Sequence, residues 1–549
     1  MNIQSSKAQQ IFRNFSLQHA KGAPSQGASD QVRLSSARDR EEYIVMPPKG
    51  SALFKSEVSA KAQVEAVGAE VSEELGLVNG YVATLSSKQA ADLEKRGFRV
   101  VPDKVQNFLP PSHDELDLED EDEDAPAKAE PSKEKKQEPV KPYTPRPEMT
   151  APRFDSEMTR KFTGKGVTIA VMDTGVHPHP DFQGRLLGQV DFVQGLPMAY
   201  DDNGHGTHVS GCASGDGTMS EGIHKGMAHE ANIIGVKVLS GEGSGRNSDI
   251  IKGLQWCIEN REELGIKVIN MSLGGPASKD WENDPINQAV KAAYEAGIVV
   301  MAAAGNEGPD RKTVGSPGNS PHAITVGAAD DKETPDPGDD TMAEFSSRGP
   351  TKDGRPKPDL VAPGEHIFAA LAPSTDKMYS GLKNGILHKA LAGLDEMPYE
   401  TLAKLPDETF QAMGLSGRTI SKLKEDENTA QAEFNRLLAA TTRTELHESM
   451  AYQALPGTSM ATPVAAGLVA AMFEANPDLS PDQVREILTS TADKLPGKWG
   501  PNSQGAGMID PDEALTRALE TKGALADFVA AHAPKEEAPK EEAAPEKSA

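Results

Sequence analysis

From residue 151 onward, short and nearly continuous apolar runs alternate with longer mixed segments. The runs are VTIAVMDTG, NIIGVKVL, KVINMSLGG, GIVVMAAAGN and AITVGA; SDIIKGLQWCIENREEL and PINQAVKAAYEAG lie between them and read as helices. Strands this apolar, joined by helices, predict an α/β domain over residues 151–522 with a mainly parallel sheet covered on both faces. Such sheets place their chemistry at the carboxyl ends of the strands. Residues 372–450 break the rhythm; they are polar and mostly helical in pattern and read as an insertion.

A second, smaller unit spans residues 41–109. EEYIVMPP reads as a strand and FKSEVSAKAQVEAVG as a helix. AEVSEELGLVNGYVATLS reads as two strands about an Asn79–Gly80 turn. SSKQAADLEKRG is a capped helix ending at Gly97, and FRVVPDKVQNF a last strand. The resulting β-α-β-β-α-β order is a split βαβ arrangement, ferredoxin-like and α+β. Residues 1–40 are polar and predict disorder. Residues 110–150, rich in Pro, Glu, Asp and Lys, predict a linker, and residues 523–549, repeating Ala, Pro, Lys and Glu, a disordered tail.

Charge narrows the partners. The chain of 549 residues carries a formal net charge of -26, with the block DELDLEDEDED at 114–124. A general affinity for nucleic acid or anionic membrane is not expected of it. The start of the sequence lacks the apolar core of a signal peptide, and no run of eighteen apolar residues stands out. Two cysteines, Cys212 and Cys257, leave no disulfide framework. Cytoplasmic residence is the expectation, with export independent of a signal peptide as the alternative.

Four segments then carry candidate chemistry. Asp173 ends the strand VTIAVMDTG, His205 lies between glycines at a helix start in DDNGHGTHVSG, and Ser459 opens another helix in GTSMATPVAAG. Asn306 follows the small residues of VVMAAAGNEGP. Singly, the first three read as a turn residue, a loop histidine and an N-cap. Together they are what acyl transfer needs: a nucleophile, a base, a carboxylate to orient the base, and an oxyanion donor. An aspartic-protease reading of Asp173-Thr174-Gly175 fails for want of a second such triplet. An esterase elbow fails because Ala461 stands where G-x-S-x-G requires glycine.

GHGTHVSG, AAAGNEGP and GTSMATPVAAG, in this order, resemble the subtilisin-like serine protease family over residues 160–371 and 451–515. The likeness is nearest to the branch without a signal peptide found inside bacteria. The resemblance implies a three-layer fold and a serine endopeptidase. Ser459 would be the nucleophile, His205 the base and Asp173 its orienting carboxylate, with Asn306 and the Ser459 N–H as the oxyanion hole. It implies that Ser272, Leu273, Gly274 and Gly275 pair with extended substrate, that Ala303, Ala304 and Gly305 wall the first pocket, and that Gly315 is its floor. A glycine floor implies a preference for large apolar or aromatic residues before the cut. The unit at 41–109 would be a propeptide, an inhibitor of its own peptidase removed by self-cleavage. Protein or peptide substrates are implied; the oligomeric state is left open. No cofactor is implied for the chemistry. Structural calcium is left open, with Asp181 at a position that supplies a ligand in many subtilisins; His177 and His179 lack a zinc-site spacing. The insertion is either a lid, a docking element or a neutral decoration. The alternative for the whole chain is a catalytically silent binding or regulatory protein on the same fold.

Overall fold

The computed structural model describes residues 3–19, 40–48, 60–109, 154–372, 394, 397–412, 417–427, 429–431 and 451–523. The linker 110–150, nearly all of the tail 523–549 and much of the insertion lie outside the described residues. The first described element corrects an expectation. Residues 1–40 predict disorder, yet helix α1 (Ile3–His19) forms and buries Ala8, Phe12 and Phe15. These stand at i, i+4 and i+7, one narrow stripe that an average over polar neighbours conceals.

The smaller unit follows. Strands β1 (Arg40–Met46), β2 (Glu70–Leu75), β3 (Gly80–Ser86) and β4 (Arg99–Pro102) form an antiparallel sheet in the order β2-β3-β1-β4. Helices α2 (Ala60–Glu65) and α3 (Ser87–Lys95) cover it. Asn79 takes the left-handed turn between β2 and β3 at φ 48°. Ser86 and Gln89 form a reciprocal capping box on α3. Alternation divides the sheet: Val45, Tyr81, Ala83 and Leu85 pack under the helices, whereas Ile44, Met46 and Val82 join the core of the larger domain. A short strand, β5 (Gln106–Asn107), leads out of the unit.

The larger domain is built on β6 (Thr168–Asp173), β7 (Leu186–Asp191), β8 (Asn232–Lys237), β10 (Ile266–Met271), β11 (Val299–Ala303), β12 (Ile324–Asp330), β13 (Thr341–Met342) and β14 (Leu360–Pro363); β9 (Ser244–Gly245) stands apart and pairs with β5. The large sheet runs β13-β12-β11-β10-β6-β8-β7, with β14 also on β12. Its pairings are parallel except β12 with β13. One face is packed by α5 (Asn247–Leu264) and α6 (Pro285–Glu295) through Met172, Val236, Ile269 and Val300. The other is packed by α4 (His205–Ser214), α7 (Thr458–Ala475), α8 (Pro481–Thr491) and α9 (Pro511–Lys522) through Val171, Ile233, Val268 and Met301. The α/β expectation and its two covered faces hold. Helix α7 has the length and apolar composition to cross a membrane, but 89% of it is buried here, as befits a helix apolar on every side.

Strands β15 (Ile367–Ala370) and β16 (Tyr452–Leu455) pair antiparallel with Ala370 opposite Tyr452. The insertion therefore leaves and re-enters the domain at one point. Within it, short helices Tyr399–Leu402, Asp407–Ala412 and Gly417–Leu423 enclose a separate small core of Leu402, Phe410, Ile420 and Leu423.

Candidate active site

Asp173 is the last residue of β6, and Ser272 follows directly on β10. These strands pair with Asn270 beside Val171. Continued by two residues, that register sets Ser272 beside Asp173, about 4.8 Å away across one strand spacing. The catalytic candidates are then gathered on these two strand ends by helix starts.

His205 opens α4, and its Nδ1 hydrogen-bonds Asp173 Oδ1 at 2.8 Å and Oδ2 at 3.0 Å. Asp173 is fully buried, and its Oδ1 also accepts from the Thr174 N–H at 2.7 Å. Burial alone would lower the His205 pKa. The charge and hydrogen bond of Asp173, joined by the charge of Asp201, outweigh it and hold the pKa above its ordinary 6.5. This favours the imidazolium that forms when a serine gives up its proton. The first turn of α4 presses hard on the Asp173 loop: a Cβ on Gly206 would stand 2.1 Å from Gly175 O.

Two residues that the sequence reading passed over fix this corner. Asp201 caps α4, accepting from Gly204 N (2.8 Å) and Thr207 N (2.9 Å), and takes the Thr174 hydroxyl at 2.9 Å. Lys237 is wholly buried, and its ammonium donates to Thr174 O (2.5 Å), Asp202 Oδ1 (2.6 Å) and Leu239 O (2.7 Å). One cation thus ties the aspartate loop to the histidine loop. Its signal was present: a single charge inside the apolar run NIIGVKVL.

Ser459 lies in the first turn of α7, beside the other strand end. Its hydroxyl donates to Ser272 O at 3.1 Å, and its carbonyl accepts from Ser272 Oγ at 2.8 Å. Asn270 Nδ2 in turn donates to Ser272 Oγ at 2.9 Å. Helices α4 and α7 touch where a Cβ on Gly467 would be 2.8 Å from Ala213 O. Among the described residues no hydrogen bond joins Ser459 to His205. To engage the imidazole the hydroxyl must leave Ser272, an adjustment of the kind that substrate-free sites commonly need.

Asn306 reaches the same helix start. Its Oδ1 accepts from Thr458 N and Thr458 Oγ1, each at 2.9 Å, while Thr458 Oγ1 accepts from Gly305 N at 3.2 Å. With Oδ1 so engaged, Nδ2 is the group left to donate, and it lies 3.5 Å from where a Gly457 Cβ would be. Thr458, also passed over in the sequence, is what fixes the amide's sense.

The cleft candidates form one continuous rim. Gly315 N donates to Ala304 O (3.2 Å), and Gly275 and Ser316 exchange backbone bonds at 2.9 Å. A Cβ on Gly315 would stand 2.8 Å from Gly275 O, so the closure of the rim itself requires glycine. Ala303 is buried at the end of β11. Gly274 N donates to Phe108 O at 2.9 Å, and Phe108 N and Leu109 N both approach Gly243 O, at 3.1 and 3.2 Å. Strand β5 pairs antiparallel with β9, Gln106 with Gly245 and Asn107 with Ser244. The end of the smaller unit therefore lies between Gly243–Gly245 and Ser272–Gly275. The Leu273 side chain sits in the apolar cluster that also holds Phe108 and Leu109.

Asp181, where calcium was left open, is held in the structure by hydrogen-bond donors. Its carboxylate accepts from the Tyr452 hydroxyl at 2.9 and 2.8 Å, from Gly217 N at 3.2 Å and from Met219 N at 3.1 Å. Calcium requires six to eight oxygen ligands; this carboxylate is surrounded by donors. Burial keeps the Tyr452 phenol protonated and so a donor. His179 stays in the same cluster, accepting from Asp181 N on Nδ1 and bonding Ala451 O through Nε2 at 3.1 Å. Among the described residues no group of three or more His, Cys, Asp or Glu is arranged to hold a metal. Tyr452→Phe, which removes a donor from a buried charge, is expected to cost about 1.5–3 kcal/mol. Thermal melting checks this, and the wild-type midpoint should be the same in calcium and in chelator. A wild-type midpoint raised by calcium would contradict the donor-only reading of Asp181.

The larger domain has recognisable relatives among known proteins. Residues 164–507 match the model of the subtilase family. Serine protease AprX of Bacillus subtilis is 40% identical over 358 residues, 64% of this chain and 67% of its own. Subtilisin Savinase of Lederbergia lenta is 30% identical over 359 residues, 65% of this chain and 93% of its own. Among solved structures, a cold adapted subtilisin-like serine proteinase covers 64% of this chain and 88% of its own at 28% identity, with a TM-score of 0.40. The chain belongs to the subtilase family and is a serine endopeptidase.

Proposed function

We propose that this endopeptidase is made as a self-processing zymogen whose residues 41–109 inhibit it as a product-like segment. In the proposed reaction His205, held by Asp173, takes the Ser459 proton as Oγ attacks the peptide carbonyl. Asn306 Nδ2 and the Ser459 N–H receive the oxyanion, and the imidazolium returns the proton to the leaving amine. Water then releases the acyl group by the same route. The observation that carries the inhibitor reading is the seating of residues 106–109 in the cleft by backbone bonds, the mode in which an extended substrate adds a strand. Gly274, which holds Phe108 O, is two residues beyond Ser272, which holds the nucleophile, a separation of about 7 Å along a strand. A cut soon after residue 109, within 110–150, follows. Asp103 supports the pose from the side: it is buried and accepts from Ser248 N at 3.1 Å in the first turn of α5, a helix whose own N-cap supplies no side-chain cap. The preference for large apolar or aromatic residues before the cut rests on the family alignment that makes Gly315 the floor of the first pocket.

The test is the length of the purified chain. Wild type is expected to split within 110–150 and the Ser459→Ala chain to stay intact, by intact mass. An active wild type that stays full length would overturn the zymogen reading, and a cleavage profile dominated by small or acidic residues would reject the pocket reading.

A further inference from the structure

We propose that helix α1 is a second docking arm of the N-terminal segment, seated on the peptidase domain away from the cleft, so that residues 1–109 stay bound at two places after the chain is cut; the retention rests on the zymogen reading. The helix packs on the edge strand β7 and on α5 of the larger domain. The Phe12 ring lies 5.8 Å from that of Trp256, and the Phe15 ring lies 5.1 Å from Phe192 and 6.5 Å from Trp256. The surface is shaped for this. A Cβ on Gly188 of β7 would come within 2.6 Å of the Phe12 ring, so a side chain there would fill the notch the ring occupies. Phe12 is 9% and Phe15 6% exposed. Lys7 pairs with Glu263 at 3.1 Å, but both are half exposed and the pair adds little.

The two anchors use different parts of α5. Its first turn meets Asp103 through Ser248, and Trp256, eight residues and about 12 Å further on, meets α1. Residues 20–39, which connect α1 to β1, reach at most about 70 Å, more than enough to bridge these points. A cut beyond residue 109 leaves α1 covalently joined to the inhibitor-like unit and parts both from the peptidase. Every α1 contact then becomes an intermolecular contact. Each anchor holds the other at high effective concentration, so release of one does not free the segment. The apolar notch of Gly188, Phe192 and Trp256 is thus a binding surface for the chain's own first helix, and activation waits on its emptying.

The experiment separates this from self-cleavage. A full-length Ser459→Ala chain is given a site for an exogenous sequence-specific protease within residues 115–145, cut there, and the departure of a labelled N-terminal fragment is timed after dilution. Phe12→Ala with Phe15→Ala is expected to speed departure about a hundredfold, the lower end of what linking two modules contributes. Deletion of residues 1–19, which leaves the four-stranded sheet intact, is expected to do the same. Arg13→Ala, on the exposed side of α1, should leave the rate unchanged. Equal rates for wild type and the deletion would overturn the proposal. Because the cut is supplied from outside, a wild type that never shortens itself would sink the zymogen reading and leave this result standing as a separate measurement of docking.

Discussion

Replacing Ser459 by alanine is expected to lower kcat on a peptide amide by about a millionfold while KM changes little; the size is that known for subtilisin itself when its nucleophile is lost. Asp173, His205 and Ser459 serve one proton's path, so their losses do not add, and His205→Ala on top of Ser459→Ala should cost almost nothing more. KM is expected to be spared because, in the proposed mode, substrate takes the backbone positions on Gly243–Gly245 and Ser272–Gly275 that residues 106–109 occupy, and the substitution does not touch them. The kinetics must be read on chain cut in the linker and freed of residues 1–109, since the intact variant keeps β5 in the cleft. A variant retaining a hundredth of wild-type turnover would mean that another group carries the acyl intermediate.

Asn306→Ala is expected to cost about 2.7–4 kcal/mol of transition-state stabilisation, a hundredfold to thousandfold fall in kcat, the magnitude known for the corresponding subtilisin donor. The structure gives the reason for so large an effect from one amide. Thr458 occupies Oδ1 with both a backbone N–H and a hydroxyl, so the amide cannot flip and Nδ2 is aimed before substrate arrives. The Asn306 amide itself then has no turn left to make as the charge develops. Steady-state kcat and KM check it. A rise in KM with kcat unchanged would move Asn306 from the oxyanion to ground-state binding.

Much of this site was legible because its chemistry sits where the apolar pattern stops. Asp173 ends a run of buried residues, and His205 and Ser459 open helices, so strand and helix boundaries pointed at them. The register that brings Ser272 beside Asp173 was not legible, since no local pattern records which strands pair. Neither was the Tyr452–Asp181 contact, which spans 271 residues and sets a hydroxyl against the buried carboxylate. Lys237 and Thr458 were hidden differently. A buried lysine looks like noise in an apolar run until its three acceptors are seen, and a threonine beside a nucleophile looks like a helix cap. Helix α1 was missed because its apolar stripe is sparse: Ala8, Phe12 and Phe15 bury well only because β7 and α5 supply a matching surface far along the chain.

The most direct measurement of the central claim is covalent labelling with a fluorophosphonate, followed by peptide mapping, on the processed chain and on the full-length Ser459→Ala chain cut at a supplied linker site, each first freed of residues 1–109. A competent Asp173–His205–Ser459 relay predicts one phosphonylated peptide, GTSMATPVAAG, modified at Ser459 and absent from the variant. No label on the processed chain, or equal label in both, would contradict it.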